Sequence, residues 1–184
     1  MQRFFDIILS GLGLILLLPF ALIVCGACYL ETRSPFFLQV RVGREQQPFT
    51  LFKFRTMYPE TPSMASHLTD AALITRFGKL LRRTKLDELP QLWNVFIGDM
   101  SLVGPRPCLF NQRELIQERA DLGIFSVRPG ITGTSQIKGI DMSTPKLLAQ
   151  TDAYMLKSLD TALYFKLIFL TAFGKGLGDR VGIP

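Results

Sequence analysis

An apolar stretch from Phe4 to Leu30 constrains this chain more than any other feature of its sequence, and Asp6 is the only charged residue within it. As an α-helix rising about 1.5 Å per residue, the stretch would be roughly 40 Å long, whereas the hydrocarbon core of a bilayer is about 30 Å thick. Pro19 removes a backbone hydrogen bond in the middle of this helix and predicts a kink. The stretch therefore predicts a membrane helix, which either crosses the bilayer or turns back to the face it entered.

A cleaved signal peptide is the alternative interpretation of this N-terminus. Arg3 precedes the apolar run, and the segment from Val24 to Cys28 resembles a lipoprotein cleavage site. However, the run is longer than the apolar region of a signal peptide, and it carries an acidic residue near its start. We therefore expect a permanent anchor.

The remaining composition indicates one domain that works beside anionic groups. The chain has 184 residues, enough for one domain but too few for two of ordinary size. Its 21 Lys and Arg exceed its 15 Asp and Glu, which gives a net charge of +6. Such a charge suits anionic lipid or phosphate. Nucleic acid would also suit it, but would not explain the apolar N-terminus, and the basic stretches contain few aromatic residues on which bases could stack.

The histidine and cysteine content restricts the chemistry. His67 is the only histidine, so a multi-histidine metal site is excluded and a Ser/His/Asp triad could be built only on that residue. Cys25 and Cys28 lie inside the apolar stretch, and the second pair that a zinc site needs is absent. Catalysis must therefore depend mainly on carboxylates, lysines and arginines.

A β-hairpin is predicted after the apolar stretch. Its strands are Phe36–Val42 and Phe49–Arg55, and residues 43–48 form the connection. Side chains alternate between the faces of a strand, so Lys53 and Arg55 share one face. Two cations on one face could bind a phosphate, or they could form an ordinary solvated surface.

The rest of the chain predicts mainly helices and loops. Ala71–Lys85 has apolar residues at helical spacing interleaved with basic ones, so it either lies among lipid headgroups or packs on a core as a surface helix. Further helices are predicted at Leu89–Ile97, Asn111–Ala120, Pro145–Leu156 and Ala162–Phe173, and loops at Pro59–Ser66, Gly98–Pro107 and Arg128–Ser135. Ala162–Phe173 is too short to span a bilayer.

Two adjacent carboxylates, Asp87 and Glu88, lie between the basic helix and the start of the next helix. Nearby cations and the helix dipole favour their ionised forms. An ionised aspartate can attack phosphorus or hold a magnesium ion. The same pair could also be no more than favourable charge at a helix N-terminus.

Two loops present an arginine on a stiff or tightly turned backbone. Arg106 lies in Gly104-Pro105-Arg106-Pro107, and Arg128 begins Arg128-Pro129-Gly130-Ile131-Thr132-Gly133. Arginine suits bidentate binding of phosphate oxygens. Either loop alone could be structural, but the full set of cations predicts a diphosphate site: Lys53, Arg55, Arg82, Arg106 and Arg128.

Five motifs in a fixed order carry a family resemblance. They are Phe52-Lys53-Phe54-Arg55-Thr56-Met57, Leu86-Asp87-Glu88-Leu89-Pro90-Gln91, Gly98-Asp99-Met100-Ser101, Gly104-Pro105-Arg106-Pro107 and Arg128-Pro129-Gly130-Ile131-Thr132-Gly133. With these motifs the chain resembles the monotopic phosphoglycosyl transferases, or bacterial sugar transferases. The resemblance extends from the N-terminal helix almost to the C-terminus.

The resemblance implies an α+β fold, a mainly helical single domain with one β-hairpin. Residues 1–32 would form a re-entrant membrane helix that enters and leaves on the cytosolic face of the bacterial inner membrane. Residues 33–184 would form the catalytic domain, with short amphipathic helices at the interface.

The resemblance also implies a reaction. Asp87 would attack the sugar-bearing phosphate of a UDP-sugar, release UMP and form an aspartyl-phosphosugar that is passed to polyprenol (undecaprenyl) phosphate, as the first membrane step of surface glycan assembly. Two-step transfer through a carboxylate predicts ping-pong kinetics. Glu88 would complete a catalytic dyad, and both carboxylates would hold Mg²⁺. The implied substrate-binding residues are Lys53, Arg55, Arg82, Arg106, Arg128 and Gln136.

A non-catalytic membrane adaptor is the competing hypothesis. It would bind acidic lipid through the basic face of Ala71–Lys85 and would not depend on Asp87 or Glu88. Which sugar is transferred has no readable code in the sequence.

Overall fold

The computed structural model describes residues 2–61 and 71–174. His67 and much of the predicted loop Pro59–Ser66 lie outside these residues. The helices within them are α1 (Gln2–Thr32), α2 (Arg76–Thr84), α3 (Gln91–Ile97), α4 (Arg113–Asp121), α5 (Thr134–Lys138), α6 (Pro145–Ser158) and α7 (Thr161–Ala172). The strands are β1 (Phe36–Val42), β2 (Pro48–Phe54), β3 (Ser101–Val103) and β4 (Gly130–Thr132). The prediction of a mainly helical α+β domain is confirmed.

Helix α1 forms from the apolar N-terminal stretch and runs without interruption through Pro19. It is long and apolar enough to cross a membrane by length and composition, with a mean hydropathy of 2.8 in its most apolar part. Only 11% of that part is buried against the rest of the chain. The exposed side chains in its middle include Leu12, Ile15, Leu16, Leu18, Leu22 and Ile23.

The N-terminal end of α1 is tied to the body of the domain by polar side chains. The guanidinium of Arg3 donates to the carbonyl of Val95 at 2.6 Å. The buried carboxylate of Asp6 accepts from the Ser101 hydroxyl at 3.0 Å and from the Tyr164 hydroxyl at 2.7 Å. Burial and this hydrogen bond raise the pKa of Tyr164, so its hydroxyl stays protonated and donates.

The C-terminal end of α1 packs on a different part of the same body. Val24 and Cys28 are buried against Phe54 of β2 and Leu81 of α2. Glu31 accepts a hydrogen bond from the backbone N–H of Phe77 at 3.3 Å. Both ends of α1 therefore contact one domain, and its exposed apolar residues lie between them.

The predicted β-hairpin is confirmed. Strands β1 and β2 pair antiparallel, with Phe36 opposite Phe54 and Val42 opposite Pro48. One short helical turn, Arg44–Gln46, connects them. The hairpin packs Leu51 into the main core beneath α3.

Two short strands lie where the sequence predicted irregular loops. Strand β3 pairs with β4 in parallel, with Ser101 beside Gly130 and Val103 beside Thr132. The loop predictions for Gly98–Pro107 and Arg128–Ser135 are therefore wrong for these residues. Residues 134–138 form a short helix, α5, which overlaps the end of the second predicted loop. Three-residue strands flanked by Gly and Pro carry no alternating pattern, so only their pairing reveals them.

Helix α2 begins at Arg76 rather than at Ala71 as predicted. Thr75 caps it by accepting a hydrogen bond from Gly78 N at 2.9 Å, and Ala71–Leu73 forms a separate 3-10 turn. The helix buries Leu81 against α1 and β2 and exposes Lys79 and Arg83, as a basic surface helix does.

The predicted helix near the end of the described residues packs on the core with one face only. Tyr164 and Leu167 of α7 are buried beside Val95 and Met155. On the other face Phe165 and Phe169 are exposed, and Phe173, directly after the helix, is exposed as well. Helix α7 is therefore partly a core element and partly an exposed aromatic surface.

Candidate active site

The two adjacent carboxylates lie in a tight turn between α2 and α3, as the sequence predicted. Lys85 adopts a left-handed backbone, with φ 58°, which ends α2 and reverses the chain. Leu86–Glu88 then forms one 3-10 turn, and Pro90 directly precedes α3. Asp87 and Glu88 are buried, with relative exposures of 5% and 9%.

Glu88 is bound by two cations that come from distant parts of the chain. Its Oε1 lies 3.1 Å from Lys53 Nζ and 2.9 Å from Arg106 Nη2. Buried opposite charges at this distance interact more strongly than they would in water. The structure therefore brings together three residues that the sequence predicted for one site.

The turn that carries the two carboxylates packs against the C-terminal part of α1. Leu86 and Leu89, on either side of the pair, contact the cluster around Val24 and Cys28. Cys28 is itself buried against β2 and α2. The carboxylate pair therefore lies near the C-terminal end of α1.

Lys85 is a further cation at this site, which the sequence analysis missed. Burial lowers the pKa of its ammonium, Glu88 opposes this by attraction, and the positive charge of Arg106 lowers the pKa further. Its backbone carbonyl accepts from Glu88 N at 3.2 Å, so Lys85 is part of the carboxylate turn. Nothing in the sequence distinguishes Lys85 from the neighbouring basic residues of α2.

Asn94, also missed from the sequence, fixes α3 to the strand that carries Lys53. It is fully buried; its side-chain oxygen accepts from Phe52 N at 3.0 Å, and its amide donates to Thr50 O at 2.7 Å. Because these bonds use the backbone of β2 on either side of Leu51, they set the position of the strand against the helix. Glu88 and Lys53 meet as a result.

The loop that carries Arg106 is held by the pairing of β3 and β4. Gly104 N donates to Thr132 O, and Gly130 N donates to Pro105 O, both at 2.9 Å. A Cβ on Gly130 would lie only 2.0 Å from Gly104 N, so the two backbones touch directly. Glycine is needed at this crossing, and the crossing places Arg106.

Arg55 and Arg82 occupy different surroundings from Lys53. Arg55 donates to the carbonyls of Ser34 at 3.0 Å and Phe36 at 3.1 Å, so it secures the start of the hairpin. Arg82 donates from Nε to the Thr56 hydroxyl at 2.8 Å. Its Nη1 is buried with no hydrogen-bond partner in the part of the chain that the structure describes.

Arg128 and Gln136 make hydrogen bonds to other parts of the chain. Arg128 donates from Nε to the Gly98 carbonyl at 2.7 Å, beyond the C-terminus of α3, and α3 is about 10 Å long. It lines an open cleft of about 640 Å³ with Arg3 and Arg44. Gln136 is buried in α5 and donates to the Ile131 carbonyl at 3.3 Å.

The fit of a metal ion can be tested on the donor atoms present. Within residues 2–61 and 71–174, no group of three or more His, Cys, Asp or Glu side chains comes together. Magnesium usually takes one or two carboxylates together with substrate phosphates, and it does not need a cage of protein ligands. The oxygen donors of Asp87 and Glu88 fit this type of coordination.

Comparisons with known proteins show which family the chain resembles. The sequence profile of the family described as bacterial sugar transferase matches residues 1–175. An uncharacterized sugar transferase of Bacillus subtilis, EpsL, is 38% identical over 93% of the chain and 85% of its own length. The UDP-glucose:undecaprenyl-phosphate glucose-1-phosphate transferase of Klebsiella pneumoniae is 37% identical over 94% of the chain, which spans 39% of that relative. An undecaprenyl-phosphate N-acetylgalactosaminephosphotransferase of Aeromonas hydrophila is 33% identical over 94% of the chain, which spans 44% of it.

Proposed function

This chain belongs to the bacterial sugar transferase family, and we propose that it transfers a sugar 1-phosphate from a UDP-sugar to polyprenol (undecaprenyl) phosphate with release of UMP. The names of several relatives describe transfers to undecaprenyl phosphate. The observation that carries the proposal is the buried pair Asp87 and Glu88, with Lys53 and Arg106 bound to Glu88.

In the first step of the proposed reaction, an oxygen of the Asp87 carboxylate attacks the sugar-bearing phosphorus. The new bond joins that oxygen to phosphorus, the bond from phosphorus to the bridging oxygen breaks, and UMP leaves with the electron pair. Phosphoryl transfer demands chiefly in-line positioning and neutralisation of the negative charge on the phosphates. Lys53 and Arg106, which bind Glu88, supply that positive charge, and Lys85 adds a cation directly before the carboxylate turn.

In the second step, a phosphate oxygen of the polyprenol acceptor attacks the same phosphorus and displaces Asp87. This restores the carboxylate and yields a polyprenol diphosphate sugar. Because UMP departs before the acceptor reacts, the proposal predicts ping-pong kinetics. Glu88 keeps Lys53 and Arg106 in place through both steps.

Magnesium is proposed as the cofactor, with Asp87 and Glu88 as its protein ligands. When bound, the ion would neutralise part of the charge on the donor diphosphate. Among the predicted substrate-binding residues, Arg82 is supported by its buried Nη1, which lacks a partner within the described residues. Arg55, Arg128 and Gln136 also make structural contacts within the chain, and their part in substrate binding stays a prediction.

We also propose that α1 enters the membrane from the cytosolic side and returns to it. This is supported by the contacts of both helix ends with one domain and by the exposed apolar middle. Cysteines introduced at the exposed positions Gln2 and Glu114 should resist a membrane-impermeant thiol reagent in intact cells and react after lysis, with the parent chain as the control. Labelling at Gln2 alone in intact cells would contradict the re-entrant topology.

The experiment that tests the transfer compares Asp87→Asn with the parent protein in lipid nanodiscs. A panel of UDP-sugars with undecaprenyl phosphate and Mg²⁺ is supplied, and UMP release is measured. The substitution should lower turnover by at least about 10³-fold, because it removes the nucleophile. Asp121→Asn, at an exposed position, is the matched control and should leave turnover unchanged. Undiminished UMP release from Asp87→Asn would defeat the mechanism, and no release by the parent chain with any donor would favour the membrane adaptor.

A further inference from the structure

A buried ion pair lies directly behind the loop that carries Arg106. Arg119 of α4 and Asp152 of α6 are 2% and 0% exposed, and Arg119 Nη2 lies 2.7 Å from Asp152 Oδ2. The Ser135 hydroxyl donates to the other carboxylate oxygen of Asp152. Burial raises the pKa of Asp152, whereas the Arg119 charge and the Ser135 hydrogen bond oppose the rise. The pair joins α4, α5 and α6.

The second arm of the Arg119 guanidinium reaches the active-site loop. Arg119 Nη1 donates to the carbonyl oxygen of Arg106 at 2.8 Å. Arg41 Nη1 donates to the carbonyl oxygen of the next residue, Pro107, at 3.2 Å. Two arginines therefore bind consecutive carbonyls of this loop, and the first carbonyl belongs to Arg106, whose side chain binds Glu88.

Stability alone is a weak explanation for such a pair. Desolvating two charges offsets much of their attraction, and apolar residues of similar volume often replace a buried ion pair without loss of stability. Lysine could supply the charge, but a single ammonium lacks the planar fork with which arginine binds a carboxylate and a carbonyl together. The fork geometry of Arg119 is therefore what its two contacts require.

We propose that Arg119, oriented by Asp152, is a positioning residue for the transfer, because it fixes the Arg106 backbone and so places the Arg106 guanidinium on Glu88. The effect of Arg119 on the transfer rests on the proposed function. The contact itself can be tested without turnover. Arg119 does not touch the carboxylate pair, so it acts through Arg106.

Hydrogen–deuterium exchange of the full chain in nanodiscs tests the structural step. Arg119→Lys should speed exchange of the amides of Gly104, Arg106 and Cys108, the non-proline residues of this loop, by about tenfold, the loss expected from one net hydrogen bond. The double variant Arg119→Met with Asp152→Leu should do the same without leaving an unpaired buried charge. Gln117→Ala, which removes an exposed hydrogen bond to Asp121 on the same helix α4, is the control and should leave the exchange of these loop amides unchanged. Unchanged exchange in both Arg119 variants, or faster exchange across the whole chain, would overturn the inference.

A double-mutant cycle tests the catalytic step. Arg119→Lys should lower kcat/KM about tenfold in the parent chain but less than about twofold in an Arg106→Ala background, because coupled residues are not additive. Equal losses in both backgrounds would overturn the inference. If the parent chain transfers no sugar phosphate, the proposed function fails, and the exchange comparison still decides whether Arg119 holds the loop.

Discussion

Replacing Gly130 by alanine tests the backbone crossing that places Arg106. The added Cβ would lie 2.0 Å from Gly104 N and 2.5 Å from Gly104 Cα, and all of its closest neighbours are backbone atoms. An ordinary contact begins near 3.4 Å, so the two chains must separate by about 1.4 Å. No rotamer change can relieve this overlap.

The expected cost is about 3 kcal/mol, at the upper end of the range for overpacking, because backbone rather than a flexible side chain must move. For a chain of this size such a loss lowers Tm by about 6–12 °C. The movement also displaces Arg106, two residues from Gly104, and a displacement of about 1 Å at a reacting centre can cost about 100-fold in rate. Thermal unfolding and UMP release, both in nanodiscs, measure the two effects.

Gly26→Ala is the matched control, because a Cβ at Gly26 meets nothing within 4 Å. This substitution should leave Tm unchanged or raise it slightly, since alanine favours a helix more than glycine does. The reasoning would be refuted if Gly130→Ala kept Tm within about 2 °C of the parent value and also kept full turnover.

Three further predictions concern other parts of the structure. Tyr164→Phe removes one hydrogen bond to the buried Asp6 carboxylate, so it should cost about 1.5–3 kcal/mol in chemical unfolding while turnover persists; an unchanged midpoint would contradict the contact. Asn94→Leu leaves the Phe52 N–H and the Thr50 carbonyl without their Asn94 partners, so it should cost about 2–4 kcal/mol of stability and impair UMP release. A stable, active variant would show that this link between α3 and β2 is unnecessary. Burial lowers the pKa of Lys85 below 10.5, so between the lowered pKa and 10.5 the unfolded chain binds more protons than the folded chain. The free energy of unfolding should therefore rise with pH in this window. Lys85→Met should make that rise smaller.

The helices and the carboxylate turn could be predicted from the sequence because their signals are local. The length and apolarity of residues 4–30 indicate a membrane helix whatever lies around it. Asp87 and Glu88 are located by the basic helix before them and by Pro90 after them. The β-hairpin follows in the same way from two runs of alternating residues.

The pairing of distant residues could not be predicted in the same way. Strands β3 and β4 have three residues each and depend on the close approach of two glycine backbones, which no periodicity reveals. The sequence around Asn94 predicts only a short helix, and it does not indicate that the Asn94 side-chain amide will hydrogen-bond the backbone of β2. Strand alternation places Lys53 and Arg55 on one face. The folded chain nevertheless brings Lys53 to Glu88, while Arg55 binds the backbone carbonyls at the start of β1.

Arg128 illustrates the limit of interpreting a motif residue by residue. Its loop was predicted to present a phosphate ligand, and the loop does contribute to the site, because Gly130 holds the backbone beside Pro105. The Arg128 side chain, however, donates to the Gly98 carbonyl near the far end of α3. The sequence could identify the segment but not this contact, and phosphate binding by Arg128 stays a prediction.

Trapping the covalent intermediate tests the central claim most directly. Protein in nanodiscs is mixed with Mg²⁺ and a UDP-sugar labelled on its sugar-bearing phosphate; one portion is denatured at once, and a second receives undecaprenyl phosphate before it is denatured. We expect label on the polypeptide at Asp87 in the first portion, its loss in the second, and no label on Asp87→Asn. A polypeptide that stays unlabelled while the same preparation forms polyprenol-linked product would contradict the central claim.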